Sequence, residues 1–218
     1  MAARQQSSQS GRSIFPTFSF EEFRCLDLSK QDLLYTPCYC EENIYMLCRE
    51  IQRRDYKLFK GCSVIFVSNE FKTVALWQQL AGHGEEHVVI WDYHVFLYYC
   101  NEDKSFVYDF DTTLPFPCPA EVYISKTFQP NAAVDKRYRP KFRLLSAEVY
   151  LEHFESDRSH MLNEDGMFVK PPPAYPPITK GLHNLNKYIT MNPEMNNADE
   201  SKYGKVVSFE EFYTTVCT

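Results

Sequence analysis

Cys40, His94 and Asp109 are the residues of this chain whose types and spacing can do chemistry together. Cys40 sits in Thr36-Pro37-Cys38-Tyr39-Cys40-Glu41-Glu42-Asn43-Ile44-Tyr45-Met46-Leu47-Cys48. Pro37 cannot continue a helix from upstream, and Ile44, Leu47, Cys48 and Ile51 then recur at helical spacing. Glu41 and Glu42 suit a first turn, where they oppose the positive end of the macrodipole. The pattern predicts a helix over about 41–54 with Cys40 at or just before its first turn. Unpaired N–H groups at that point favour a thiolate over a thiol, which is how a nucleophilic cysteine is prepared. The plainer alternative is that Cys40 is one small, half-buried cysteine among eight.

His94, in Trp91-Asp92-Tyr93-His94-Val95, is the histidine that lies deep in a strand pattern. Alternation puts Asp92, His94 and Phe96 on one face of that strand. The polar turn 100–104 leads into a second apolar run, Ser105 to Asp111, with Val107, Asp109 and Asp111 on one face. A hairpin centred on 101–103 sets His94 across from Asp109 or Phe110, where Cβ atoms stand roughly 4.5–5.5 Å apart. An acid in mid-strand is disfavoured and costly to bury unpaired, so Asp109 needs a partner and His94 is within reach. An exposed face with both groups solvated is the alternative, and the aromatic content of both strands weighs against it. A cysteine at a helix start and a His–Asp pair on a nearby hairpin are the parts of a Cys–His–Asp triad, whose chemistry is acyl transfer on an amide. Spacing alone does not say which amide.

These residues need elements to hold them. Short buried strands are expected at 63–67 and 73–77, a long one from His87 to Tyr99, and the hairpin partner at 105–111. The run Leu114-Pro115-Phe116-Pro117-Cys118-Pro119 reads as a rigid loop, 120–128 as helical, 141–145 as a strand and 147–154 as a helix. Pro171-Pro172-Pro173-Ala174-Tyr175-Pro176-Pro177 is a polyproline stretch: a ligand for a proline-recognising domain, or a stiff segment laid over the core by Tyr175. A last helix is expected near 208–213, with Ser208 as N-cap and Glu211 completing a capping box. Residues 1–13 are polar and read as a disordered tail, followed by a short helix around 20–28; residues 14–218 read as a single domain.

Composition narrows the class. Of the 218 residues 44% are hydrophobic, with 17 Phe and 15 Tyr, which marks a folded chain with an aromatic core. A net charge of −6 argues against nucleic acid or an anionic membrane as partner. No apolar run approaches the ~20 residues that span a bilayer, and no signal-peptide core is visible. The eight cysteines are scattered and read as reduced intracellular thiols. Zinc on Cys38 and Cys40 would need a second Cys/His pair at ligand spacing, which does not follow, so no metal is expected.

The order nucleophile, histidine, acid is that of the papain/transglutaminase-like architecture, an α/β (α+β) fold in which a cysteine-bearing helix packs on an antiparallel sheet. The chain also resembles the protein N-terminal glutamine amidohydrolase family. The resemblance rests on Cys38-Tyr39-Cys40-Glu41-Glu42-Asn43-Ile44, Val67-Ser68-Asn69-Glu70, Val89-Ile90-Trp91-Asp92-Tyr93-His94-Val95 and Tyr108-Asp109-Phe110-Asp111-Thr112. It continues through Leu114-Pro115-Phe116-Pro117-Cys118, Ser156-Asp157-Arg158-Ser159-His160-Met161 and Pro171-Pro172-Pro173-Ala174-Tyr175-Pro176. It implies a triad of Cys40, His94 and Asp109, with Cys38 not the nucleophile. It further implies deamidation of an N-terminal glutamine to glutamate with release of ammonia, the product then being open to arginylation in the N-degron pathway.

On that basis no cofactor is expected, and the partners are proteins or peptides with N-terminal Gln. The expected state is a monomer, in the cytoplasm and also the nucleus. Choosing a terminal glutamine requires a group that reads the α-ammonium; Asp92, Asp111, Glu41 and Glu42 are candidates, and the shared sheet face favours Asp92 and Asp111. Transglutaminase-like or cysteine-protease acyl transfer, and a non-enzymatic module presenting 171–177, are the rival classes.

Overall fold

Val64-Ile65-Phe66-Val67 is apolar without alternation, the pattern of a strand covered on both faces. The computed structural model describes residues 28–101, 104–130, 133–192 and 199–217. In it this run forms the centre of β1 (Cys62–Ser68), flanked by β4 (His94–Cys100) and β7 (Lys141–Ser146). β5 (Ser105–Tyr108) and β6 (Cys118–Pro119) extend the sheet on one side and β8 (Lys205–Val207) on the other. The order is β6-β5-β4-β1-β7-β8, and every pairing is antiparallel.

Helices flank this sheet on both faces. On one, α1 (Cys40–Arg54), α4 (Ala147–His153) and α5 (Leu185–Ile189) bring Ile44, Leu47, Tyr150 and Tyr188 onto Val64, Phe66, Val95 and Leu97. On the other, α3 (Ala120–Phe128) and α7 (Phe209–Cys217) bring Tyr123, Phe128 and Phe212 onto Ile65, Phe96 and Phe142. The remaining helices are short: α2 (Tyr56–Phe59) follows α1, and α6 (Glu200–Tyr203) packs against α4. Burying Ile44, Leu47 and Ile51 is worth roughly 1.5–3 kcal/mol each, whereas helix propensities differ by under about 1 kcal/mol per residue. Packing therefore holds α1, and it holds it by the stripe that follows Cys40.

Several elements match the sequence pattern and three depart from it. The run from His87 to Tyr99 is not one strand: β3 (Val89–Trp91) pairs with β2 (Val74–Leu76) in a separate two-stranded sheet, and β4 starts afresh at His94. The break falls at Asp92, whose carboxylate accepts from the Tyr93 N–H (2.9 Å) and whose carbonyl accepts from Ser68 Oγ (2.5 Å). The hairpin register is also shifted, since Leu97 faces Tyr108 rather than Phe106 or Val107. Finally, β5 ends at Tyr108 instead of Asp111, because the Asp109 carboxylate turns the chain by accepting from the Asp111 N–H (2.9 Å). The capping box at Ser208 and Glu211 is present in both directions, at 3.2 and 2.8 Å. The tail over 1–13 and the helix read at 20–28 fall outside the described residues, apart from Leu28. No helix among the described residues is long and apolar enough to cross a membrane.

Candidate active site

The turn before α1 is clamped by a residue inside the helix. Asn43 accepts from the Thr36 N–H (2.8 Å) and donates to the Thr36 carbonyl (2.9 Å), closing the proline turn onto the first helical turn. Cys38 takes a left-handed conformation (φ 69°), the buried Tyr39 donates to the Lys170 carbonyl (3.2 Å), and Cys40 is the first helical residue. Cys40 is buried, and this overturns the electrostatic expectation for its thiol. Burial, then the Glu41 carboxylate, then Asp111 push the thiol well above its ordinary value, while the Val95 N–H aimed at sulfur opposes them. Desolvation of the anion outweighs the helix end.

His94 opens β4 and is buried, with its ring stacked on Trp91 (5.7 Å between centroids, 21° between planes). Its Nε2–H donates to Asp109 Oδ1 at 2.9 Å. Burial alone would lower the imidazole, but the Asp109 charge and hydrogen bond outweigh it and hold His94 above its ordinary value. Asp109 moves the other way. Burial would raise it, and His94, the Asp111 N–H and the Tyr123 hydroxyl together hold it below its ordinary value. Tyr123 Oη–H donates to Asp109 Oδ2 at 2.7 Å from α3. Nothing local in the sequence points to Tyr123, because α3 supplies it from 14 residues downstream of Asp109.

Cys38, Cys40, Trp91, Asp92, His94 and Asp111 line one pocket, with His160 and Met161 on a further wall. Asp109 stands behind His94. The expected pairing is thus present although the register that suggested it is not: Asp109 reaches His94 from the turn after β5, not from a position opposite it. Of the four acids considered for an ammonium, Asp92 is exposed and Asp111 is half-buried, accepting from Tyr35 Oη–H (2.6 Å). Burial and the neighbouring Asp109 raise Asp111. Glu42 is committed elsewhere, accepting two bonds from buried Arg158 (2.9 and 2.8 Å). Glu41 lies behind the pocket wall, fully buried.

His94, Asp109 and Asp111 have potential metal-binding atoms within 4.8 Å of one another. The closeness has an internal cause, since Asp109 already accepts from His94, Tyr123 and the Asp111 backbone. Cys38 and Cys40 do not belong to that cluster. The described cysteines Cys38, Cys40, Cys48, Cys62, Cys100 and Cys118 are free thiols.

A family model described as N-terminal glutamine amidase matches residues 35–216. The chain is 45% identical over 164 residues to the protein N-terminal glutamine amidohydrolase of Drosophila mojavensis, covering 74% of this chain and 80% of that protein. It is 43% identical over 182 residues to the bovine protein of the same name, covering 82% and 84%. The match to the Drosophila melanogaster protein of that name is 42% over 184 residues, covering 83% and 87%.

Proposed function

The chain belongs to the N-terminal glutamine amidase family, and from that premise we propose that Cys40, His94 and Asp109 hydrolyse the side-chain amide of an N-terminal glutamine. The activity is that of an amidohydrolase, and its substrates are chains that begin with glutamine. The observation that carries the assignment of roles is the His94 ring: Nε2 is held by Asp109 at 2.9 Å, while His94 shares a pocket with Cys40.

With Nε2 committed, Nδ1 takes the proton from the Cys40 thiol as sulfur attacks the γ-carboxamide carbon. Burial holds the thiol above its ordinary value, so the proton moves as the bond forms. Asp109 holds the tautomer and stabilises the imidazolium. Charge on the tetrahedral oxygen meets the Cys40 N–H at the start of α1. Collapse breaks the C–N bond, His94 hands its proton to the departing ammonia, and a γ-glutamyl thioester remains on Cys40. Water deprotonated by His94 then cleaves the thioester to glutamate and free thiol. These parts support a papain/transglutaminase-like arrangement, with the cysteine-bearing helix against an antiparallel sheet.

For the α-ammonium, Asp111 is better placed than Asp92. It is partly buried in the pocket wall and its charge is costly there, so a cation beside it restores balance. The same cation offsets the negative field that raises the Cys40 thiol.

A Gln-initiated peptide incubated with the protein tests this reading. One ammonia per peptide and the mass change of amide to acid are expected, with no chain cleavage and no cross-link; cleavage or cross-linking would assign the chain to the rival acyl-transfer classes. Acetylating the α-amine should stop turnover, and equal turnover would remove the ammonium from recognition. The polyproline stretch, in contrast, is engaged within the molecule: Arg158 donates to the Pro173 carbonyl (3.2 Å) and stacks over Tyr175 (5.2 Å).

A further inference from the structure

Glu41 is fully buried, and its Oε1 has no hydrogen bond. Its Oε2 accepts from the Cys40 thiol (3.6 Å) and from Tyr93 Oη–H (3.0 Å). A carboxylate so close, out of water, opposes any negative charge on that sulfur. Yet the proposed chemistry draws the proton off that sulfur at every turnover. Something must neutralise Glu41.

Besides His94, Lys72 and His160 are the basic side chains that line the pocket, and of these two His160 is the one in contact with Glu41. Arg158 is engaged with Glu42, His94 is engaged with Asp109, and Asp92 and Asp111 add negative charge to the pocket. His160 remains: its Nε2 lies 3.4 Å from Glu41 Oε1, and its ring lines the pocket that holds Cys40. The ring is held in place from behind by stacking on His183 (5.4 Å between centroids, 23°), and His183 Nδ1 is itself 3.0 Å from Asp157 Oδ1.

We propose that His160 is a positioning residue for the nucleophile, its Nε2 facing Glu41 Oε1 and offsetting that carboxylate so that charge can develop on Cys40 Sγ. The role differs from that of His94. His94 moves the proton, whereas His160 sets the field in which the sulfur gives it up. The proposal rests on the reading of Cys40 as nucleophile, and the experiment below separates the two.

The measurement is the rate of Cys40 alkylation by iodoacetamide at neutral pH, quantified by peptide mapping because Cys38 and Cys100 are exposed, alongside kcat and KM for a Gln-initiated peptide. His160→Gln should slow alkylation by about tenfold or more, the change in thiolate that one unit of thiol pKa produces. Its kcat should fall with KM little changed. Glu41→Gln should alkylate at least as fast as the native protein, and adding it to His160→Gln should recover most of the lost alkylation. Unchanged alkylation in His160→Gln, slower alkylation in Glu41→Gln, or a double variant as slow as His160→Gln would each overturn the proposal. Ammonia release that survives Cys40→Ser would instead overturn the nucleophile itself.

Discussion

At Asp109 both carboxylate oxygens are used: Oδ1 by His94 and the Asp111 N–H, Oδ2 by Tyr123. The side chain therefore does two jobs, fixing the imidazole and turning the chain out of β5. Asp109→Asn keeps the shape but offers an amide in place of a charge, and a loss of roughly 10^3–10^4-fold in ammonia release is expected from the wrong histidine tautomer. Near-native turnover would take Asp109 out of the mechanism. Tyr123→Phe removes one charge-assisted hydrogen bond, at a cost of about 1.5–3 kcal/mol, and should lower kcat more than it raises KM. The pair also makes stability depend on pH. Asp109 is held below its ordinary 3.8, so its contribution is present above that value and lost as pH falls through the folded value. His94 is held above its ordinary 6.5, so its contribution is full below that value and lost as pH rises through the folded one. Melting temperature should therefore fall away on both sides of the interval between them, and Asp109→Asn should flatten that profile.

Among the elements, α1 is fastened to a segment more than a hundred residues downstream. Arg158, in a left-handed conformation (φ 65°), reaches Glu42 with two bonds and the carbonyls of Pro173 and Pro176 with others. The polyproline stretch is thereby bound to the helix that carries Cys40. Arg158→Ala would leave Glu42 charged, buried and alone, at an expected cost of about 3–5 kcal/mol by urea unfolding. A shift under about 1 kcal/mol would mean that Glu42 takes up a proton or finds water. A second buried arginine ties other elements: Arg143 on β7 donates to the carbonyls of Tyr188, Thr190, Tyr203 and Gly204. The sequence marks it only as part of a strand at 141–145, and its buried partners come from α5, α6 and the residues that follow them.

Over the whole molecule, the sheet separates two apolar clusters, and the site belongs mainly to one of them. Cys40, Ile44 and Tyr93 pack with the α1 cluster, whereas Phe142, Phe212 and Phe128 fill the other. Phe142 and Phe212 are stacked 4.0 Å apart and 9° from parallel, which fixes α7 to the sheet. Phe212→Ala should cost about 3–5 kcal/mol of stability. That cluster reaches the site through Tyr123, the donor to Asp109, so kcat per folded molecule should fall less than in Tyr123→Phe; an equal or larger fall would show that the two faces are coupled through the sheet.

What the sequence determined by itself was local or repetitive. The start of α1 at Cys40 follows from a proline turn and an apolar stripe, and the place of the hairpin turn follows from a polar run. The family is carried by short blocks of residues that need no fold to be read. Tertiary structure decided what depends on distant partners. It broke the expected long strand at Asp92, moved Asp109 out of the ladder and still brought it to His94, and supplied Tyr123 from α3. It set Glu41 beside the sulfur and committed Glu42 to Arg158 although the two acids are adjacent in the chain. It also reversed the expected balance at the thiol. A helix start is a local feature and legible in sequence, whereas desolvation is set by everything packed around a group, and at Cys40 desolvation is the larger effect.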